Sequence, residues 1–345
     1  MIDHAGELIS AADFGRRYRM LAMRLEREVL GKQREIALAL TCLLADGHLL
    51  LEDLPGLGKT RLAAGLAAAF GGDFQRVQGT PDLLPSDVTG SVVFGRDTDV
   101  VRLLDPAARR EDLPLRRGPV FTNILLCDEL NRTPPRTQSA LLEAMEERQV
   151  TIFSHTFALP DPFLVIATQN PVDLDGTYRL PEAQLDRFLM RFALGRPDTA
   201  TLGRILTELG PERRTDRRSA ARPVADVSPP ELLQMIRYCY SLPAAAPVRE
   251  YVTALIEATD PDRDRAVRLG ASPRAALALL AAARARAAAT GAEYVAIDHV
   301  RAVAVPVLAH RIVLRDPPPE HVSTAQDAYV TELLRRVETP KRIAA

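Results

Sequence analysis

A short apolar run, His48 to Leu51, leads into Asp53-Leu-Pro-Gly-Leu-Gly-Lys-Thr60, and a helix-like stretch from Leu62 to Phe70 follows. A strand that turns through glycines straight into a helix leaves few folds open to the chain. Such a turn aims its backbone N–H groups and the helix N-terminus at one point, which makes a cradle for phosphate. Lys59, one of only three lysines in the chain, is placed to reach the outer phosphates, and the Thr60 hydroxyl to take Mg²⁺. Gly56, Gly58, Lys59 and Thr60 are the residues nearest the phosphates, with Pro55, Leu57 and Arg61 beside them. The strict pattern G-x-x-x-x-G-K-[ST] asks for glycine where this chain has Asp53. On this run alone, a Gly-Pro loop closing an ordinary strand–helix unit is the competing reading.

At 345 residues the chain has room for two domains, each with its own core. A net charge of −1 argues against a protein that coats a polyanion or binds a membrane surface. The preference for Arg over Lys, with abundant Ala and Pro, reads as a compositional bias of the source genome. Arg213 to Arg222 is therefore read as a solvated linker. Cys42, Cys127 and Cys239 are isolated in sequence and read as buried small hydrophobes in a reducing compartment. The six histidines show no metal-ligand spacing, so no zinc site is expected. No apolar stretch is long enough to span a bilayer and no signal peptide opens the chain, so a soluble cytoplasmic protein is expected.

Residues 1 to 30 carry apolar positions at helical spacing, Leu30-Gly31-Lys32-Gln33 breaks the pattern, and Ile36 to Leu44 resumes it. Short β-like runs then alternate with helical patterns: His48 to Glu52, Phe74 to Gln78, Ile124 to Asp128, Phe163 to Thr168 and Phe188 to Leu194. Runs of this kind imply an α/β fold, a parallel sheet covered by helices on both faces. Ligands of such sheets bind at the C-terminal ends of the strands. Charges and prolines between Gly195 and Pro230 suit a hinge, after which the pattern is wholly helical. The division expected is a nucleotide-binding domain at 1–205, a linker at 206–230 and a helical domain at 231–345.

The third run ends Cys127-Asp128-Glu129. Acids at a strand tip cost solvation unless something uses them. Beside a phosphate loop, Asp128 would enter the Mg²⁺ shell and Glu129 would orient and deprotonate the water that attacks the γ-phosphate. The alternative is a pair of solvent-facing acids capping the next helix. The fourth run ends Thr168-Gln169-Asn170-Pro171, where Asn170 would bond the attacking water or a γ-oxygen, although Asn-Pro is also a plain turn signal. Arg187, just before the fifth run, is a candidate for stabilising charge on the transferred phosphoryl group; pairing with Asp186 or Glu182 is the simpler role. Ser272 and Pro273 open an alanine-rich helix, which sets Arg274 at an N-terminus whose dipole disfavours a cation unless an anion offsets it.

Taken together, Pro55 to Thr60, Thr80-Pro-Asp-Leu-Leu-Pro-Ser-Asp-Val-Thr-Gly90, Gly118 to Phe121, Leu126 to Arg132, Pro135 to Val150, Ala167 to Pro171, Leu180 to Phe188 and Gly270 to Arg274 resemble the MoxR family of AAA+ ATPases. The resemblance spans roughly residues 25 to 310. It implies an ATP-hydrolysing P-loop core with an α-helical lid, assembled as a homo-oligomeric, usually hexameric ring. It matches Gly56, Gly58, Lys59 and Thr60 to Walker A, Asp128 and Glu129 to Walker B, Asn170 to sensor 1, Arg187 to the arginine finger and Arg274 to sensor 2. It implies ATP and Mg²⁺, an adenine-side segment at Leu30-Gly31, and a pore-facing helix-2 insert near residues 79 to 120. The partners it implies are a protein client and a protein bearing a von Willebrand factor A domain. Three departures stand out: Asp53, the arginine of Gly195-Arg196-Pro197 where an aromatic is usual, and a long, charged stretch from Gly95 to Arg117.

The leading reading is an ATPase that remodels, matures or assembles a protein client. A nucleic-acid motor is the first alternative, kept open by Arg109, Arg110, Arg116 and Arg117 and disfavoured by the near-zero net charge. A scaffold switched by bound nucleotide is the second, disfavoured by the presence of Lys59, Asp128, Glu129 and Arg187.

Overall fold

All five apolar runs become strands of one sheet in the computed structural model, which describes residues 8–92, 115–153, 155–170, 178, 180–209, 225–317 and 322–340. Along the chain, β1 (Leu49–Glu52) and β2 (Phe74–Gln78) precede an antiparallel pair, β3 (Gly90–Val92) with β4 (Leu115–Arg117), and then β5 (Ile124–Asp128). A second pair, β6 (Gln149–Ile152) with β7 (His155–Ala158), leads to β8 (Leu164–Gln169) and β9 (Met190–Phe192). The central sheet has the order β2-β5-β8-β1-β9 and is parallel throughout.

The strands are apolar on successive residues because both faces are covered. Leu49, Leu51, Ile124, Leu126 and Ile166 pack into one buried cluster, while Leu50, Leu125, Cys127, Val165 and Ala167 pack into another on the opposite face. Helices Ala11–Glu28, Gln33–Leu44 and Lys59–Ala69 cover the first face, and helix Pro135–Glu147 covers the second. The three cysteines are buried, and burial pushes the Cys127 thiol up to about 12, as befits inert apolar filler.

Among the described residues the C-terminal part is a lid of five α-helices, Pro229–Ser241, Ala246–Glu257, Pro273–Ala289, Ile297–Leu308 and Val322–Arg336. Its apolar residues, among them Leu232, Leu279 and Val300, belong to the same buried cluster as Leu49 and Leu51. Lid and sheet therefore share a continuous core. Among the described residues no helix is long and apolar enough to cross a membrane.

Two expectations are corrected. The hinge stretch holds a helix, Thr199–Leu209, which runs into the span read as a linker from residue 206. Asp198 starts it by accepting from the Thr201 N–H at 2.7 Å. The lid is also not wholly helical: β10 (Val267–Leu269) pairs antiparallel with β11 (Val313–Leu314). Helix Ile297–Leu308 is followed by a tight 3₁₀ turn at Ala309–Arg311 that aims His310 and Arg311 inward. Arg109, Arg110 and the run Arg213 to Arg222 lie outside the described residues.

Candidate functional site

The turn after β1 works as its glycines suggest. Gly56 and Gly58 hold φ of +84° and +94°, left-handed values that L side chains rarely adopt, and Gly58 caps helix Lys59–Ala69. Lys59 is buried and its Nζ donates to the Asp53 carbonyl at 2.9 Å, which folds the side chain back over the turn. Asp53 itself explains the missing glycine. It is 6% exposed, and its carboxylate accepts from the Leu54 N–H at 3.0 Å and the Gly195 N–H at 2.9 Å. The side chain thus ties the start of the loop to the segment that leaves β9. Its neighbour Arg196 is held too, since Lys32 Nζ donates to the Arg196 carbonyl at 3.1 Å.

A cleft of about 400 Å³ opens over this turn and gathers Lys59, Thr60, Asp128, Glu129 and Asn170 from three strand tips. Pro55 and Arg61 border it as well. Thr168 organises the acids: its hydroxyl donates to Asp128 Oδ1 at 2.6 Å and accepts from the Glu129 N–H at 2.9 Å. Glu129 adopts a left-handed φ of +56°, uncommon for a residue with a side chain, and its Oε2 lies 3.3 Å from Arg132 Nε. Strain of this sort persists where surrounding contacts enforce it.

The sequence reading missed Arg76 and Gln78, which line the same cleft. Arg76 Nη2 donates to Asp128 Oδ2 at 2.7 Å and to Gln78 Oε1 at 2.8 Å. Their signal was available, because alternation along β2 puts Arg76 and Gln78 on one face, opposite Val77. The β2–β5 register then sets Gln78 beside Asp128.

A second cleft, of about 500 Å³, adjoins the glycine turn and is mostly apolar, with walls from Val29, Leu30, Leu57, Leu202 and Ile205. Arg61 borders both clefts, and Arg196 and Pro197 border this one. A flat apolar ring with a phosphate tail would lie across the two. Gly31 is not in the wall: it has φ of +70° and backs onto Thr201, whose Oγ1 would be 2.5 Å from an added Cβ. Leu202 and Ile205 come from the helix that sequence reading took for the approach to a hinge; Asp198 at its cap and the spacing of Leu202, Ile205 and Leu209 were the overlooked signs.

Arg187 and Arg274 lie elsewhere. Both line a different cleft, and both engage Glu146: Arg187 Nε at 2.9 Å from one carboxylate oxygen, Arg274 Nη2 at 2.7 Å from the other. The expected alternatives for Arg187 do not form, since Asp186 is held by Arg311 at 2.7 Å and Glu182 by Arg268 at 3.3 Å. Ser272 caps the lid helix as anticipated, through the Ala275 N–H at 3.4 Å. Glu146, with its carboxyl held below the usual range by Arg274 first and then by Arg187, is the anion that offsets Arg274 at that helix N-terminus.

Known proteins resemble this chain in sequence and fold. A model of the ATPase family associated with various cellular activities (AAA) matches residues 48–190, and a model of the AAA lid domain matches residues 262–332. The chain is 40% identical to the uncharacterized protein YeaC of Bacillus subtilis over 93% of its own length and 94% of that protein. It is 38% identical to chaperone MoxR1 of Mycobacterium tuberculosis over 84% of its length and 74% of that protein, and 32% identical to protein MoxR of Methylorubrum extorquens over 93% and 94%. The crystal structure of a candidate ATPase from Cytophaga hutchinsonii superposes with a TM-score of 0.80 at 33% identity, covering 96% of this chain and 97% of that one.

Proposed function

This chain belongs to the MoxR family of AAA ATPases, and we propose that it uses ATP hydrolysis to remodel, mature or assemble a protein client. One observation carries the reading: the loop after β1 and the tips of β5 and β8 bring Lys59, Thr60, Asp128, Glu129 and Asn170 to a single cleft. The apolar cleft beside it suits adenine, with Leu30 and Leu57 against the ring and Arg61 between base and phosphates. The turn amides and Lys59 bind the phosphates. Thr60 and Asp128 are hard oxygen donors in one cleft and would hold Mg²⁺, which when bound neutralises charge on the phosphate oxygens. Glu129 orients water and takes its proton, and Asn170 holds the water or a γ-oxygen.

Arg187 and Arg274 share one carboxylate away from this cleft, which favours action on the nucleotide of an adjacent copy. Oligomerisation follows from that assignment, and the family resemblance points to a hexameric ring. The client is a protein, with a partner carrying a von Willebrand factor A domain among the candidates, and the setting is the cytoplasm. The division into domains is proposed as a core that runs past residue 205 to the helix end at Leu209 and a lid that opens at its first helix, Pro229–Ser241, rather than at 231. Glu129→Gln is expected to abolish turnover while ATP still binds, measured by phosphate release and by binding of a fluorescent ATP analogue. Equal turnover in the variant and the unaltered protein would remove Glu129 from the mechanism.

A further inference from the structure

Glu146 lies in the last turn of helix Pro135–Glu147 and meets the lid through Arg274. Three segments remote in the chain meet at its carboxylate: its own helix, the turn before β9 through Arg187, and the first turn of helix Pro273–Ala289 through Arg274. Each guanidinium is gripped by one nitrogen, Nε of Arg187 and Nη2 of Arg274. Among the described residues neither guanidinium has a second side-chain partner, so most of their N–H groups remain available to an incoming acceptor. Both side chains are partly exposed, at 30% and 46%. Without an anion between them, two guanidinium groups this close repel and swing apart on flexible stems. Pairs this exposed contribute little to stability, so structural support is a weak reason for the arrangement.

We propose that Glu146 is a positioning residue that fixes Arg187 and Arg274 as one two-guanidinium clamp for the phosphoryl group of a nucleotide bound by a second copy of this chain. The proposal rests on the reading that both arginines serve a neighbour's nucleotide. Glu146 touches no phosphate itself; it sets the spacing and direction of two donors drawn from core and lid. A phosphoryl group that meets a preset pair is stabilised without reorganisation of the donors. Because Arg274 rides on the lid, the clamp closes only when lid and core hold their present relation.

The test uses full-length protein in four forms: unaltered, Glu146→Gln, Arg187→Ala and Glu129→Gln. Glutamine keeps the shape but loses the charge and one of the two acceptor oxygens. For Glu146→Gln, kcat is expected to fall on the order of 100-fold, as for misplaced catalytic groups, with KM and binding of a fluorescent ATP analogue near the unaltered values. Mixed with Glu129→Gln, whose own nucleotide is inert but whose clamp is intact, the Glu146→Gln protein should regain hydrolysis that neither shows alone. Unchanged kcat in Glu146→Gln, or loss of analogue binding, would overturn the proposal. So would a lack of recovery in that mixture while an Arg187→Ala and Glu129→Gln mixture recovers. Failure of the latter mixture would instead overturn the reading that the arginines act on a neighbour, and this proposal with it.

Discussion

Asp53 stands where the phosphate-loop pattern asks for glycine, yet its backbone is not in the left-handed region that glycine would serve. Its carboxylate satisfies two N–H groups, one of them on Gly195 beyond β9. Writing the strict pattern back with Asp53→Gly would strand those donors and add backbone freedom to the unfolded chain. The variant is expected to lose about 1–3 kcal/mol of stability, read from urea unfolding, although it conforms better to the motif. Stability equal to the unaltered protein would mean that the two hydrogen bonds contribute nothing. At this scale the conformation of the glycine turn was legible, because φ at Gly56 and Gly58 and the following helix cap depend on neighbours in sequence. What Asp53 bonds was not legible, since Gly195 lies 142 positions away.

The strands were the most legible elements, as their length and continuous apolar character follow from burial on both faces. His48, at the foot of β1, shows how the elements are joined. Its Nδ1 accepts from the Val165 N–H at 3.0 Å, so Nε2 must carry the proton and donates to the Met145 carbonyl at 3.0 Å. One neutral ring therefore links β1, β8 and helix Pro135–Glu147. Burial, with Arg148 nearby, pushes its pKa down from the ordinary 6.5 to about 3. The unfolded chain then takes up the proton first, so this histidine's contribution is fully present above pH 6.5 and is lost as pH falls toward 3. The slope is up to about 1.4 kcal/mol per pH unit. Urea midpoints measured between pH 7 and pH 5 should fall more steeply in the unaltered protein than in His48→Gln; parallel slopes would contradict the neutral assignment. Helix Thr199–Leu209 was less legible, because prolines and charges around it resemble a hinge and its apolar positions Leu202 and Ile205 line an open cleft rather than a core.

Lid and core are joined by buried arginines. Arg311, 7% exposed, donates to Asp186 Oδ1 at 2.7 Å and to the carbonyls of Asp186, Phe188, Leu189 and Val307, while His310 Nε2 donates to the Phe188 carbonyl at 2.9 Å. Arg191, at the sheet edge, reaches Asp327 at 2.7 Å and Gln326 at 2.8 Å on the last helix. The first network encloses the turn that carries Arg187, so the lid sets where that side chain points. Arg311→Ala removes one partner of a buried ion pair and strands several carbonyls. It is expected to cost about 3–5 kcal/mol in urea unfolding. ATP hydrolysis should fall with it, while analogue binding by the folded fraction persists; undiminished stability would show the network to be dispensable.

The chain's local chemistry sufficed for the glycine turn, five parallel-sheet strands, the acids at the tip of β5 and the lid helices, because each is a matter of spacing, burial period or backbone preference within a few residues. Folding alone decided which distant charges meet. Arg76 finds Asp128 across 52 positions, Arg311 finds Asp186 across 125, and Arg274 finds Glu146 across 128. Such pairings depend on strand order and on how the lid seats against the sheet, so no periodicity announces them. For Arg311 the physical reason is burial: a charge drawn into the interior needs an opposite charge there. Arg76 and Arg274 stay partly exposed, and for them the tertiary structure decides only which carboxylate is within reach.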